Sequence, residues 1–399
     1  MKLIIHIGTE KTGSSSVQQW GSQNRELLKE AGVFYSESLG VLDHRKASVY
    51  ARLSNEPDDG FTRYGIESVD QHEQFKRQVE QDLAKEVECA QSLNSRYFFV
   101  SSEHFHSRID NIAMVEEVKK LFTPYFDDIE ILAYIRPQAE LFQSRVSVNI
   151  RNLDIFESEL DNKWQKDITY FDNFAMWQRW STVFNQVTFK PFNKHKNVVA
   201  DIAEIVGVGL ADFETPARVN EKLDYRMGLI AHQLNEAIES ISMKKELLNL
   251  YFEQIECKEP ITISRALASK INAFYRESNL KFCEANPHFS LTDVEADLKK
   301  FPVDGTAEKM FEQSDTIEFL VEILIRNYCE INIAQCENEF IKIERALARG
   351  NPSNAAAFRV KLLSLLAKFD GINFESKYNL KRVSDKVNAL KTKLQTVKI

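Results

Sequence analysis

The chain has 399 residues, 43% of them hydrophobic and 28% charged, and carries a net charge of -8. That length buries a substantial core and suits two domains or one extended domain, while the acidic balance argues against a general nucleic-acid binder. No apolar run approaches the roughly 18–20 residues of a membrane span, the few apolar residues after Lys2 do not make a signal peptide or anchor, and five scattered cysteines without CxxC spacing read as reduced thiols of a cytoplasmic protein.

The first sixteen residues, MKLIIHIGTEKTGSSS, organise the rest. Leu3 to Ile7 is a short β-branched run that reads as a buried strand. Gly8 to Ser16 is a small-residue turn holding Lys11, and from Val17 to Leu28 the apolar spacing turns helical. Strand, glycine-serine loop and helix in that order form a phosphate cradle: loop amides and the helix N-terminus face an anion, and hydroxyls add donors. A capped strand-to-helix turn is the plainer alternative. The loop is not a Walker A element, which places its lysine directly before the helix.

Residues 34 to 66 hold Gly, Pro, Asp and Asn without a clear period and read as a long irregular excursion. His44 and Arg45 within it read as surface residues, with an acceptor cleft as their other possible setting. Ser68 to Leu93 has the stripe of an amphipathic helix. Tyr97 to Val100 is the next strand, ending in Ser101-Ser102-Glu103-His104-Phe105-His106, where an open α/β sheet binds its ligands. Met114 to Phe126 reads as helix, Ile129 to Ile135 as the third strand, and Gln138 to about Asn152 as a helix entered through Pro137. Arg136 at the strand end and Ser144 two turns along lie toward one face, a fork and a hydroxyl suited to a phosphate. An aromatic helix over Tyr170 to Phe184, a short strand over Val187 to Phe192 and a helix over Asn197 to Val206 complete an alternating pattern. Alternating βα units of this kind imply a parallel sheet with helices on both faces.

Two elements resemble sulfotransferases that use 3′-phosphoadenosine-5′-phosphosulfate. Lys11-Thr12-Gly13-Ser14-Ser15 resembles the family's 5′-phosphosulfate loop, with Glu10 where proline is common; Arg136 followed by Ser144 resembles its 3′-phosphate element. The starting H-I-G-x-x-K-T-G-[ST]-S and the S-S-E-H strand end look most similar to bacterial carbohydrate-sulfotransferase-like proteins. The resemblance covers about residues 1 to 220 and implies a P-loop-like sulfotransferase fold. It implies that Lys11, Thr12, Gly13, Ser14, Ser15, Arg136 and Ser144 bind the donor, that Lys11 stabilises the leaving group, and that no metal is required. The acceptor would be a hydroxyl of a glycan or glycolipid. Its proton needs a base, for which Glu103 is the first candidate and His104 the second; a role for Glu103 in capping the next helix is the third reading. Glu103, His104 and His106 do not make a metal site, because neighbouring positions point apart and no second ligand cluster exists. In the family a late loop closes over the adenosine, and Arg218 and Asn220 stand in the corresponding stretch without matching it clearly.

Beyond Asp224 the period is helical over 224–257, 264–279, 313–347 and 354–369. We therefore expect an α/β domain over 1–222 and a helical extension over 223–399. The extension ends in a basic amphipathic helix with apolar positions at Leu380, Val383, Val387, Leu390, Leu394 and Val397. Its lysines could meet an acidic glycan, the inner membrane face or a second copy in a homo-oligomer, or be a solvated face. Two other functions compete with transfer: a catalytically inactive nucleotide-binding scaffold, and a P-loop kinase, which the missing Walker lysine disfavours.

Overall fold

The computed structural model describes residues 1–152, 160, 163–195, 197–214, 223–252, 257–310, 315–370, 372 and 380–397. These fall into two compact units. The first is Met1–Arg145, Asp161–Asn220 and Arg265–Phe301; the second is Val146–Leu160, Glu221–Ser264 and Pro302–Ile399.

The first unit is built on a five-stranded parallel sheet in the order β2-β3-β1-β4-β5. β1 (Lys2–His6) is central, between β3 (Tyr97–Ser101) and β4 (Ile129–Ile135), with β2 (Val33–Tyr35) and β5 (Gln186–Pro191) at the edges. Its strands are apolar nearly throughout because helices cover both faces. Leu3 and Ile5 of β1, and Ile7 just after it, enter one cluster with Val79, Leu83, Val118 and Trp180. Ile4 points the other way, to Val17, Trp20, Val198 and Ile202.

The helices supplying these faces follow the chain. α1 (Ser14–Gln23) and α2 (Arg25–Glu30) precede β2; α3 (Arg45–Ala51), α4 (Asp59–Arg63) and α5 (Val69–Ser92) lead to β3. α6 (His104–Arg108) and α7 (Ile112–Phe122) lead to β4, and α8 (Gln138–Asn152), α9 (Lys163–Lys166), α10 (Ile168–Phe171) and α11 (Asn173–Ser181) to β5. α12 (Val198–Ile205) follows. The chain is thus an α/β protein with helices on both faces of a parallel sheet, as its βα alternation predicts.

Two expectations are corrected here. Residues 34–66 are not an irregular excursion, since they contain most of β2 and all of α3 and α4. Nor are His44 and Arg45 surface or cleft residues. His44 is fully buried: the Ser101 amide donates to its Nδ1 at 2.8 Å, and its Nε2 donates to the Ser36 carbonyl at 2.8 Å. Arg45 is buried too, its guanidinium 2.6 Å from Asp59.

The expected division at residue 222 also differs from the compact units, because α15 (Arg265–Ala285) and α16 (Leu291–Val294) belong to the first. Phe282 and Phe289 enter the same cluster as Trp180, and Asn279 pairs with Gln138 through two amide hydrogen bonds. A helical period reveals the helix but not the face of the sheet it covers.

The second unit is helical. α13 (Tyr225–Ala237), α14 (Ile241–Phe252), α17 (Thr306–Lys309), α18 (Asp315–Ala348), α19 (Pro352–Ala367) and α20 (Lys381–Thr396) make up its regular structure beside the end of α8. α20 buries Val383, Val387, Leu390 and Leu394, and Lys386 and Lys391 pair with Glu330 and Asp370 at 2.5 and 2.8 Å. Part of its basic face is therefore engaged within its own unit. Among the described residues, no helix is long and apolar enough to cross a membrane.

Candidate donor loop and transfer site

β1 ends at the sheet's centre, and the chain turns there through Gly8 (φ 104°), Lys11 (φ 63°) and Gly13 (φ 87°). A left-handed lysine is uncommon and is kept only where surroundings hold it. The loop is tied to β4 at several points. The Tyr134 amide donates to the Gly8 carbonyl at 2.7 Å, and the Thr9 amide and hydroxyl both donate to the Tyr134 carbonyl at 3.2 and 3.1 Å.

Thr12 and Ser14 are buried, and both hydroxyls donate inward to the Thr9 carbonyl, at 2.6 and 3.0 Å. Their hydroxyl protons brace the loop. Ser15 and the Lys11 side chain are exposed. Gly13 caps α1 without a side-chain bond, and no acidic residue stands in the first turn. The Ser16 amide already donates to the Gly13 carbonyl at 3.0 Å, whereas the Ser14 and Ser15 amides lie too early in α1 for an intrahelical acceptor, and the positive end of its dipole lacks a built-in anion. Such an end suits a phosphate.

Arg136 leaves the end of β4 toward this loop. Its Nη1 donates to the Lys11 carbonyl at 3.2 Å, across 125 positions of sequence, and its Nε to Glu140 at 3.3 Å. Its guanidinium carbon lies 5.7 Å from the centre of the Phe192 ring. Ser144 is one turn beyond Glu140 on α8 and half-buried.

Glu103 sits at the end of β3 against Gly8, where a Cβ added to the glycine would lie 3.4 Å from the Glu103 Cα. It occupies the N-cap position of α6, yet its carboxylate makes no cap bond and instead accepts from Gln18 Nε2 on α1. The capping reading therefore does not describe it. His104 follows, half-buried, with a buried Nδ1 that has no partner among the described residues; burial lowers its pKa while the Glu103 charge opposes that shift.

A second group beside the loop was not visible in the sequence. The Glu10 amide donates to His106 Nδ1 at 3.3 Å, His106 Nε2 donates to the Tyr170 carbonyl at 2.9 Å, and the Tyr170 hydroxyl donates to Glu10 at 2.7 Å. This closed ring fixes the residue preceding Lys11. Burial alone would raise the Glu10 pKa, but a charged His106 at low pH, the hydrogen bond from the Tyr170 hydroxyl and the charge of Arg108 outweigh it and hold the carboxyl below its usual range. Burial pushes His106 down to about 4, so it is neutral near pH 7. Arg145 covers the Tyr170 ring at 4.1 Å and pairs with Asp167 at 3.0 Å. Past the other end of the loop, Asp201 on α12 accepts from the Tyr134 hydroxyl and from Lys190 at 2.8 Å, with His195 Nδ1 at 3.1 Å. Only the partial fit of Glu10 to the loop pattern hinted at the first group. Arg218 and Asn220 lie outside the described residues.

No family model and no curated protein matches the chain. Among solved structures it is similar to a sulfotransferase from Alicyclobacillus acidocaldarius, at 14% identity over 73% of this chain and 97% of that one, with a TM-score of 0.37.

Proposed function

We propose that this chain is a sulfotransferase that moves a sulfuryl group from 3′-phosphoadenosine-5′-phosphosulfate to a hydroxyl of a glycan or glycolipid, acting in the cytoplasm. The observation that carries this reading is the hydrogen bond from Arg136 to the Lys11 carbonyl, which joins the two motif-bearing rims at one loop. The uncapped start of α1, without an acidic first turn, fits the 5′-phosphate end of such a donor. Among the described residues Nη2 of Arg136 has no acceptor, which leaves it for the 3′-phosphate. The donor supplies the activated sulfuryl group.

Catalysis then rests on positioning and charge. Lys11 faces the bridging oxygen and stabilises charge there as the sulfur–oxygen bond breaks. Ser15 and the first amides of α1 hold the 5′-phosphate, with Thr12, Gly13 and Ser14 shaping the turn. Arg136, aided by Ser144, orients the other end. Glu103 takes the acceptor's proton as its oxygen bonds to sulfur, and His104 is the alternative base. The test is transfer of label from sulfur-labelled donor to a panel of glycans and glycolipids, with titration of 3′-phosphoadenosine-5′-phosphate alongside. Label on an acceptor, absent with Lys11→Ala, is expected. Failure of the nucleotide to bind sinks the reading. Binding without transfer to any acceptor favours the inactive scaffold.

A further inference from the structure

Carboxylates of the first unit differ in how fully they are engaged. Glu86 accepts from the Ser36 and Ser38 hydroxyls, both at 2.6 Å, and from the Glu37 and Ser38 amides at 2.6 and 3.1 Å. Asp201 takes the Tyr134 hydroxyl, Lys190 and His195. Both oxygens of each group are occupied, and their role is to fix the backbone and side chains around them. Glu103 is different. Its Oε2 accepts from Gln18 Nε2, while among the described residues Oε1 accepts no hydrogen bond and the carboxylate forms no ion pair.

Gln18 is only 3% exposed. A buried amide needs acceptors for its N–H groups, and a charged acceptor makes the stronger bond. Gln138, the other buried glutamine of this unit, meets that need with a neutral partner, Asn279. Gln18 meets it with the one carboxylate at the end of β3.

Helical spacing puts Gln18 in place. Ser14, Gln18, Ser22 and Arg25 follow at intervals of four, four and three, a single stripe along α1 and into α2. Each ties the stripe to a different point: Ser14 to the Thr9 carbonyl at 3.0 Å, Ser22 to the Val41 carbonyl at 2.9 Å, Arg25 to the Ser36 carbonyl at 3.1 Å. Beside the stripe, Val17 and Trp20 are buried, and a Cβ on Gly21 would lie 2.7 Å from the Tyr35 ring. α1 is thus seated closely against the sheet, and the Gln18 amide is a fixed point. It stands one turn, about 6 Å of helix rise, beyond the first residue of α1.

We propose that Gln18 is the positioning residue of Glu103: it holds Oε2 and thereby aims Oε1 at the acceptor. The presence of an acceptor rests on the transfer reading; the hold on the carboxylate does not. In the transfer step Oε1 takes the acceptor's hydroxyl proton as that oxygen bonds to sulfur, and the electron pair of the breaking sulfur–oxygen bond goes to the 5′-phosphate. Gln18 touches neither proton nor sulfur. It sets the base on the same helix whose first turn holds the donor, so one rigid element places both.

The test is a double-mutant cycle on the full chain. Its readouts are turnover of labelled donor with the acceptor panel, calorimetric affinity for 3′-phosphoadenosine-5′-phosphate, and melting temperature. In Gln18→Leu, kcat should fall by about 10- to 100-fold while the nucleotide Kd stays within about twofold. In the Glu103→Gln background the same substitution should change kcat by less than about twofold, because nothing is left to position. Gln18→Glu sets two carboxylates together and should melt several degrees lower. Combined with Glu103→Gln, it exchanges donor and acceptor and should regain at least half of that loss.

Additive losses in kcat overturn the proposal. So does a nucleotide Kd that weakens in step with kcat, or an exchanged pair that melts no higher than Gln18→Glu. If Gln18→Leu does not fold, the exchanged pair decides. If the wild type transfers to no acceptor, the transfer reading fails by itself: recovery in the exchanged pair leaves the hold on Glu103 standing, and its absence removes that too.

Discussion

On the Arg136 side of the loop after β1, polar groups face outward; on the α6 side, Glu10 and Glu103 are held by hydrogen bonds. Among the described residues Nη2 of Arg136 makes no hydrogen bond, Ser15 is exposed, and α1 begins without an acidic residue. Across the loop, Glu10, His106 and Tyr170 close a ring of hydrogen bonds, and Glu103 is held by Gln18. Open donors are what an anionic ligand needs, because the protein then offers it bonds that nothing else occupies. Closed networks instead fix geometry, since each member limits the rotamers of the next. One side is built to bind and the other to position.

The strongest way to break that contrast is Lys11→Ala. If Lys11 stabilises the leaving oxygen, turnover should fall by roughly 10³–10⁵, the scale of a cation in phosphoryl transfer, while 3′-phosphoadenosine-5′-phosphate still binds. An equal loss of binding would make the residue a holder of the ground state. Glu103→Gln comes next, with kcat lower by about 10²–10⁴ and nucleotide affinity unchanged. Near-normal turnover would remove Glu103 as the base and leave His104. In steady-state kinetics both variants separate positioning from binding, because kcat and the nucleotide Kd are read apart.

Acid sharpens the comparison through the closed side. Burial lowers His6 and His44 to about 3 and His106 to about 4, well under the ordinary 6.5. Between those values and 6.5 the unfolded chain takes up protons that the folded chain refuses. Stability is therefore full above pH 6.5 and declines as pH falls toward 4, by on the order of a few kcal/mol in total. The urea midpoint at pH 5 should lie clearly below that at pH 7. Coincident midpoints would mean these rings are not held neutral. Arg136→Ala acts on the open side: nucleotide affinity should weaken by roughly 1.5–3 kcal/mol, about 10- to 150-fold, in calorimetry.

The open side was also the legible side. β1, β3, β4 and β5 fall within one residue of the runs read from the sequence, because a parallel sheet buried on both faces leaves continuous apolar stretches. Lys11 and Arg136 stood out because a phosphate demands a lysine, small residues and a fork at strand ends. β2 was missed because three residues carry too little pattern. The Glu10 ring was missed for a different reason. Its bonds span 96, 64 and 160 positions, and its members are an ordinary glutamate, histidine and tyrosine whose roles exist only after folding.

The smallest effects test the contrast within the loop itself. Thr12 and Ser15 are neighbouring hydroxyls on a motif that treats them alike, yet Thr12 donates to the Thr9 carbonyl and Ser15 is exposed. Thr12→Val should lower stability by about 0.5–1.5 kcal/mol, toward the lower end because Ser14 still donates to the same carbonyl. Ser15→Ala should leave the melting temperature unchanged and weaken nucleotide binding by up to about tenfold. The opposite pairing, in which Thr12→Val costs affinity and not stability, would mean that the buried hydroxyls turn outward when a phosphate arrives. The loop would then be remade by its ligand, and the inward bonds to Thr9 would describe only its resting form.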